Sequence, residues 1–158
     1  MPDRSENIFR IALAADHGGA ELKNILKEYL GSKGHKIIDM GVQQGERSDY
    51  PVQAFLLVNA LLRADADRGV LLCGTGIGIS IAANRFPGIR AALCHDDYTA
   101  RLSRRHNDAN VLVLGGRTTG CETAKSIADV WFDTEFEGER HIPRIEKIDE
   151  LAKKFWKE

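Results

Sequence analysis

Short apolar runs alternate with amphipathic segments along almost the whole chain. Five runs have the length and composition of strands: Ile8–Ala15, Lys36–Met40, Gly69–Cys73, Ile89–Cys94 and Asn110–Leu114. The segments between them place apolar residues at helical spacing, and the connections are short. The third run has no polar residue before its final cysteine, which is typical of a strand covered on both faces of a parallel sheet. The alternation predicts an α/β, Rossmann-like three-layer fold with a five-stranded parallel sheet flanked by helices.

For two of the predicted helices, the pattern indicates which apolar side chains are expected to be buried. The helix that begins near Asp49 and ends near Ala64 is expected to bury four apolar side chains, namely Phe55, Leu56, Val58 and Leu62. The last helix has an apolar face made of Ile145, Ile148, Leu151, Ala152 and Phe155. The pattern alone is compatible with docking of that face on the chain's own sheet or on a second subunit.

Length and charge limit the class of protein. The 158 residues fit one compact domain, with residues 1–7 as a flexible polar tail and residues 8–158 as the folded domain. A net charge of −1 provides no attraction to nucleic acid or to an acidic membrane surface. No apolar run approaches the ~18 residues that span a bilayer, and the polar start is unlike a signal peptide, so we expect a cytoplasmic protein. Three cysteines without a CxxC pair argue against a disulfide framework and a structural zinc site.

Polar clusters follow four of the five predicted strands. They are Asp16-His17, the segment Cys73–Gly78, His95-Asp96-Asp97, and Gly115-Gly116-Arg117. In open α/β sheets, ligands bind beyond the carboxyl ends of the strands. We therefore expect these four clusters to converge on one site.

The most informative cluster is the glycine loop Gly74-Thr75-Gly76-Ile77-Gly78. Glycines let main-chain N–H groups approach a ligand closely, so this loop is a candidate site for an oxyanion or a small phosphate. No GK[ST] follows, and Gly78 comes one residue too early for GxGxxG, which disfavours a nucleotide site. The loop is also compatible with a tight strand-to-helix turn that binds nothing.

Cys73 ends the third predicted strand just before a helix, where the positive end of the helix dipole favours a thiolate. Such a thiolate could act as a nucleophile or as a proton-transfer base. The alternative is an unreactive core cysteine, which is the commoner kind. Cys94 fits that structural role, and Cys121 has no predicted function.

Cationic residues cluster later in the chain. His106 and Asn107 end a helix that also carries three arginines. By spacing alone, a solvated cationic helix end is favoured over an acid–base role for His106. Arg140, His141 and Arg144 flank the start of the last helix, and their cationic groups could bind a phosphate or lie in solvent.

Six motifs can be taken together. They are Ala15–Gly19, Glu46–Pro51, Cys73–Asn84, Gly88–Ala92, Ser103–Val111, and Gly138–His141 with Arg144. They closely resemble the ribose-5-phosphate isomerase B family, which includes allose-6-phosphate and galactose-6-phosphate isomerases. Some members of that family have a glutamate at the position matching Gly78 or Ile79, whereas others use a cysteine before the glycine loop as the base. Cys73, with no acid in the loop, places this chain in the cysteine branch.

The resemblance covers residues 8 to about 150 and carries several implications. It implies a Rossmann-like sheet, no metal and no organic cofactor. It also implies a homodimer or homotetramer with active sites at the subunit interface, where we expect the C-terminal helix to lie. The substrate would be a phosphorylated sugar, with ribose 5-phosphate and ribulose 5-phosphate as the interconverted pair.

The resemblance also implies a role for each matching residue. Asp16 and His106 would open the furanose ring, and Cys73 would then move a proton between C2 and C1 through a cis-enediolate. Thr75 and the amides of Gly74, Gly76 and Gly78 would stabilise the charge on O1. The remaining substrate-binding residues would be His17, Arg117, Arg140 and Arg144 for the phosphate, Asn107 for the hydroxyl groups, and His141.

Other functions stay open at this point. The same chemistry on allose 6-phosphate or galactose 6-phosphate would differ only in pocket depth. A non-catalytic sugar-phosphate binding protein would keep Arg140 and Arg144 but need no base, and the joint presence of Cys73, Thr75 and His106 argues against it. A nucleotide-dependent oxidoreductase is disfavoured because the dinucleotide fingerprint is absent.

Overall fold

The computed structural model describes residues 7–156, so nearly all of the predicted N-terminal tail lies outside the described residues. The strands are β1 (Arg10–Ala15), β2 (Lys36–Asp39), β3 (Arg68–Cys73), β4 (Ala91–Leu93) and β5 (Val111–Gly115). The α-helices are α1 (Ala20–Ser32), α2 (Tyr50–Leu62), α3 (Ile77–Ala83), α4 (Asp97–Asn107), α5 (Cys121–Asp133) and α6 (Ile142–Ala152). Short 3₁₀ turns at Glu139–His141 and Lys153–Phe155 flank α6. Within residues 7–156, no helix is both long enough and apolar enough to cross a membrane.

The five strands form one parallel sheet in the order β2-β1-β3-β5-β4, which confirms the predicted architecture. Alternate side chains of a strand point to opposite faces. Leu13 and Leu72 therefore pack with α1, α4 and α5 on one face, while Ala12 and Leu71 pack with α2 and α3 on the other. Because α1 and α3 leave the neighbouring strands β1 and β3 on opposite faces, a crevice opens beyond the carboxyl ends of these two strands.

Helix α2 differs from its predicted burial. Val58 is buried as expected and Leu56 is half-buried, but Phe55 and Leu62 are 52% and 55% exposed. Ala54 and Leu57 fill the core instead. The prediction was wrong for Phe55 and Leu62 because α2 is apolar over a wider arc than the sheet can cover, and periodicity does not show which part of that arc faces inward.

Strand β4 is shorter than predicted, with three residues in place of the expected run from Ile89 to Cys94. The side-chain oxygen of Asn110 accepts from the N–H of Arg90 at 2.8 Å, and the carboxylate of Asp149 accepts from the N–H of Gly88 at 3.1 Å. Because these side chains hold the amides before β4, the chain joins the sheet ladder only at Ala91. The shortness suits an edge strand.

A buried ion pair sets the path of the loop after β2. Lys23 in α1 is fully buried, and its Nζ lies 2.6 Å from Asp39, which also accepts from Lys27. Burial raises the pKa of Asp39, but hydrogen bonds from Lys23 and Lys27 outweigh it, and the net effect lowers the pKa. Gly41 then passes close to β1, since a Cβ there would lie 2.7 Å from the nitrogen of Ala15. The loop of residues 40–49 is thereby held over the end of β1.

Helix α6 does not dock its apolar face on the sheet. None of its side chains is buried, and Ile148 and Leu151 are 51% and 53% exposed. A cleft of about 440 Å³, lined by residues that include Phe86, Ile148 and Trp156, separates α6 from the β4 edge. Of the two docking alternatives left open by the sequence, the one on its own sheet is not adopted.

The close packing of α1 on β3 makes a testable prediction at Gly19. A Cβ at Gly19 would lie 2.6 Å from Cβ of Leu72 and 2.7 Å from its carbonyl carbon. We expect Gly19→Ala to lower the free energy of unfolding by about 1–3 kcal/mol, because main chain must move. Gly31, near the end of α1, is the control, since its nearest heavy atom would be 3.8 Å away. Gly31→Ala should raise the free energy of unfolding by about 0.5–1 kcal/mol. Urea denaturation measures both, and equal effects would contradict the packing.

Candidate active site at the ends of β1 and β3

Cys73, the last residue of β3, is buried at the floor of the crevice. The N–H of Gly76 donates to its Sγ at 3.1 Å. Gly76 has a φ of +78°, and a Cβ there would lie 2.5 Å from Cδ1 of Leu93, so only glycine fits this turn. The left-handed turn therefore aims a main-chain donor at the sulfur.

Thr75 and Gly78 complete the glycine loop. Thr75 is exposed, and its Oγ1 accepts from the N–H of Ile77 at 3.2 Å. A Cβ at Gly78 would lie 2.9 Å from the ring of Tyr50, so the phenol ring rests directly on the loop. Tyr50 belongs to the Glu46–Pro51 motif, and sequence reasoning did not predict this contact.

Asp16 lies beside this loop. Its Oδ1 accepts from the N–H of Gly18 at 2.9 Å, and the side chain is largely buried. A Cβ at Gly18 would lie 2.8 Å from the nitrogen of Gly74, so the two loops touch main chain to main chain. The carboxylate of Asp16 and the thiol of Cys73 therefore belong to the same small region.

His17 is held from the loop that follows β2. Its Nδ1 lies 3.2 Å from the carbonyl oxygen of Ser48. Because a carbonyl can only accept, this contact assigns a proton to Nδ1. The buried Gln53 donates in turn to the hydroxyl of Ser48 at 2.9 Å. Sequence reasoning missed Ser48 and Gln53, since only their position next to His17 gives them a role.

Arg117 reaches the same edge from the loop after β5. The N–H of Gly116 donates to the carbonyl of Cys73 at 2.8 Å, and the N–H of Arg117 donates to the carbonyl of Gly74 at 2.9 Å. The guanidinium lies over the glycine loop, since a Cβ at Gly74 would be 3.1 Å from Nη1 of Arg117. Three of the four predicted clusters thus converge.

The fourth cluster does not converge, and that part of the prediction was wrong. Asp96 caps α4 by accepting from the N–H of Thr99 at 2.7 Å, and Asp97 accepts from the hydroxyl of Ser126. His95 borders a separate shallow cleft beside them. The reason is strand order, because β4 lies two strands from β3, a distance of roughly 10 Å.

Cys94 has the structural character that the sequence predicted. It is buried in the core, and its Sγ lies 3.9 Å from the hydroxyl of Ser103. Burial raises the pKa of the Cys94 thiol, so it stays protonated at neutral pH. Cys121 is exposed at the start of α5.

The remaining predicted residues form a cationic cluster at the opposite end of the strands. His106 and Asn107 end α4, and the guanidinium of Arg90, just before β4, donates to the carbonyl of Asn107 at 2.9 Å. The six residues of β3 span about 16–20 Å. One chain therefore does not bring His106 to Cys73.

Arg140, His141 and Arg144 adjoin His106 in this cationic cluster, and the rings of His106 and His141 stack with centroids 4.4 Å apart. His141 is almost fully buried, and its Nε2 has no hydrogen-bond partner among the described residues. Burial, the imidazole of His106 and the guanidinium of Arg140 lower the pKa of His141. A bound anion would relieve this excess of positive charge.

Glu137 is the carboxylate in the cationic cluster. His106, Glu137 and His141 each offer one possible metal-ligand atom, and these three atoms lie within 4.8 Å of one another. That spacing is close enough to bind a metal ion. However, Arg105 and Arg140 approach Glu137 at 3.3 and 3.6 Å. Their charges repel a metal cation, so the surroundings favour an anionic ligand.

The sheet is doubly wound, and helices leave β1 and β3 on opposite faces. A thiol, a carboxylate and main-chain amides lie in the crevice between these two strands. Together they define an α/β protein with a small-molecule site at that edge. Comparison with known proteins identifies the family, because residues 11–148 match the Ribose/Galactose Isomerase model. The chain belongs to that family, and it is an aldose–ketose isomerase.

Individual relatives agree with this assignment. Ribose-5-phosphate isomerase B of Escherichia coli is 46% identical over 145 residues, which are 92% of this chain and 97% of that protein. D-erythrulose-4-phosphate isomerase of Pectobacterium atrosepticum is 46% identical over 87% of this chain and 91% of that protein. The structure of Clostridium thermocellum ribose-5-phosphate isomerase B has a TM-score of 0.91 at 46% identity, and the match covers 93% of this chain and 99% of that one.

Proposed function

We propose that this protein interconverts ribose 5-phosphate and ribulose 5-phosphate, with Cys73 as the base that moves the proton. The observation that carries the proposal is the N–H of Gly76 directed at the Cys73 sulfur, in a loop that also touches the Asp16 region. The E. coli relative, named for this activity, supports the choice of substrate.

In the proposed mechanism, the Cys73 thiolate takes the proton from C2 of the open-chain aldose. The electron pair of that C–H bond forms the C1–C2 double bond of a cis-enediolate and leaves negative charge on O1. The exposed hydroxyl of Thr75 and the amides of Gly74 and Gly78 stabilise that charge, while the amide of Gly76 donates to the sulfur. A proton then passes from the O2 hydroxyl to O1, and the thiol of Cys73 returns its proton to C1, which leaves the C2 carbonyl of the ketose. A positioned base contributes about 10²–10⁴-fold and one oxyanion donor about 10²–10³-fold, so the two must act together.

The other half of each site comes from a second copy of the chain. The cationic cluster lies a full strand length from Cys73 in one chain. The guanidinium groups of Arg140 and Arg144 nevertheless suit the phosphate, and Asn107 beside His106 suits the sugar hydroxyl groups. The exposed apolar face of α6 supports contact with a second subunit. In a homodimer, or a homotetramer built from two such dimers, the cationic cluster of one subunit faces the crevice of the other. Asp16 and His106 then share the ring-opening step across the interface.

Ketose formation tests the proposal. Purified protein is incubated without added metal with ribose 5-phosphate, allose 6-phosphate and galactose 6-phosphate, and isomerisation of D-erythrulose 4-phosphate is followed in parallel. We expect ribose 5-phosphate to have the highest kcat/KM. A higher kcat/KM for a six-carbon sugar would move the assignment to that sugar. A higher value for the four-carbon ketose would move it to the activity for which the P. atrosepticum relative is named.

A cytoplasmic location completes the proposal. Cys73, Cys94 and Cys121 are all unpaired. Free thiols persist in a reducing compartment, and a cysteine base requires one.

A further inference from the structure

Glu137 occupies the centre of the cationic cluster. Its carboxylate lies 3.7 Å from Nε2 of His106 and 3.9 Å from Nε2 of His141. The same carboxylate pairs with Arg105 and Arg140. It follows α5 in the charged segment of residues 135–140, and sequence reasoning gave it no role.

The main chain holds Glu137 in place independently of its side chain. The N–H of Glu137 donates to the carbonyl of Arg105 at 3.0 Å, which ties this segment to the end of α4. Loss of the charge alone should therefore leave the backbone where it is. This separates the role of the carboxylate from the role of the fold.

The two stacked imidazoles cannot both gain a proton without repelling each other, and guanidinium groups add to that repulsion. Arg105 extends from α4, Arg140 from the 3₁₀ turn and Arg144 from α6. Burial is the first cause that lowers the pKa of His141, followed by His106 and Arg140, while Glu137 acts in the opposite direction. The carboxylate of Glu137 thus partly offsets the effects that disfavour a proton on His141.

We propose that Glu137 is a positioning residue for ring opening, which holds the His106–His141 pair and stabilises the imidazolium that His106 forms when it takes up a proton. This inference rests on the proposed function, in which His106 acts on the furanose ring. Glu137 has no contact with substrate in this scheme. It acts through charge, since both separations are too long for a hydrogen bond.

The test separates ring opening from the later proton transfer at carbon. Ribulose 5-phosphate is an open chain, so exchange of its C1 hydrogen with deuterated water needs Cys73 but no ring opening. We expect Glu137→Gln to lower kcat for conversion of ribose 5-phosphate by up to about 10²-fold, the scale seen when a catalytic group is displaced. The rate of C1 exchange should stay near that of the wild type. Glu137→Asp, which keeps the charge, should recover part of the loss and serves as the test if the Gln variant fails to fold.

A second readout does not depend on turnover. In NMR titrations we expect the pKa of His141 to fall further in Glu137→Gln, because the carboxylate that raises it is gone. Glu135→Gln is the matched control, since Glu135 is exposed two residues earlier on the same segment. It should change neither the rates nor the titration.

Several outcomes would overturn the inference. Equal loss of conversion and of C1 exchange in Glu137→Gln would show a general structural role. An unchanged conversion rate together with an unchanged His141 titration would show no role at all. A wild type that converts no sugar phosphate would instead overturn the proposed function itself.

Discussion

Replacement of Cys73 with alanine is expected to abolish ketose formation, with kcat lower by about 10²–10⁴-fold, the contribution of a positioned general base. The buried sulfur is the acceptor for the N–H of Gly76, and the substitution removes the group that takes the proton from C2. Alanine at this position leaves the glycine loop and the phosphate-binding cations in place. Binding of ribose 5-phosphate, measured by calorimetry, should therefore persist.

Cys121→Ala is the matched control for this prediction, because Cys121 is also a free thiol but lies exposed at the start of α5. It should turn over at the wild-type rate. A Cys73→Ala variant that keeps more than about a tenth of wild-type kcat would show that another group is the base. Such a loss, below about tenfold, is smaller than the ~10²-fold minimum expected from a positioned base.

Two inactive variants are expected to restore activity to each other when mixed. Cys73→Ala disables the crevice half of a site, and His106→Asn disables the cationic half. If each site combines the two halves from different subunits, a mixed dimer has one intact site and one doubly disabled site. Random exchange makes half of the dimers mixed, so specific activity should recover to about a quarter of the wild-type value.

The control mixture combines Cys73→Ala with Asp16→Asn. Both residues lie in the same half, because the loops that carry them touch through Gly18 and Gly74. Every site of a mixed dimer then contains one disabled crevice, and no activity should return. Recovery in this control, or none in the first mixture after confirmed subunit exchange, would contradict a site shared between subunits.

The elements predicted best from the sequence are those that are buried on both faces. Strand β3 is covered on both faces, and its observed start at Arg68 differs by one residue from the predicted start at Gly69. Strand β4 lost half of its predicted length because Asn110 and Asp149, distant in sequence, hold the amides before it. Phe55 was misplaced because α2 presents apolar residues to two sides. For β4 a long-range contact overruled a local pattern, and for α2 the local pattern did not show which side faces the core.

Some residues of the candidate site could be predicted from the sequence, and others could not. The thiol of Cys73 and the glycines after it are recognisable from residue type and spacing, since a strand followed by a glycine loop is a local feature. Ser48 and Glu137 could not be found this way. Each has a role only because an imidazole from another part of the chain lies against it.

The sequence by itself determined the parallel α/β architecture, the family and the chemical groups available for proton transfer and anion binding, because periodicity and motif are properties of neighbouring residues. Only the tertiary structure decided which groups meet. It placed Asp16, Cys73 and Arg117 at one end of the sheet and His106, Glu137 and His141 at the other. The physical reason is that strand order and direction, rather than distance along the chain, determine which loops share an edge.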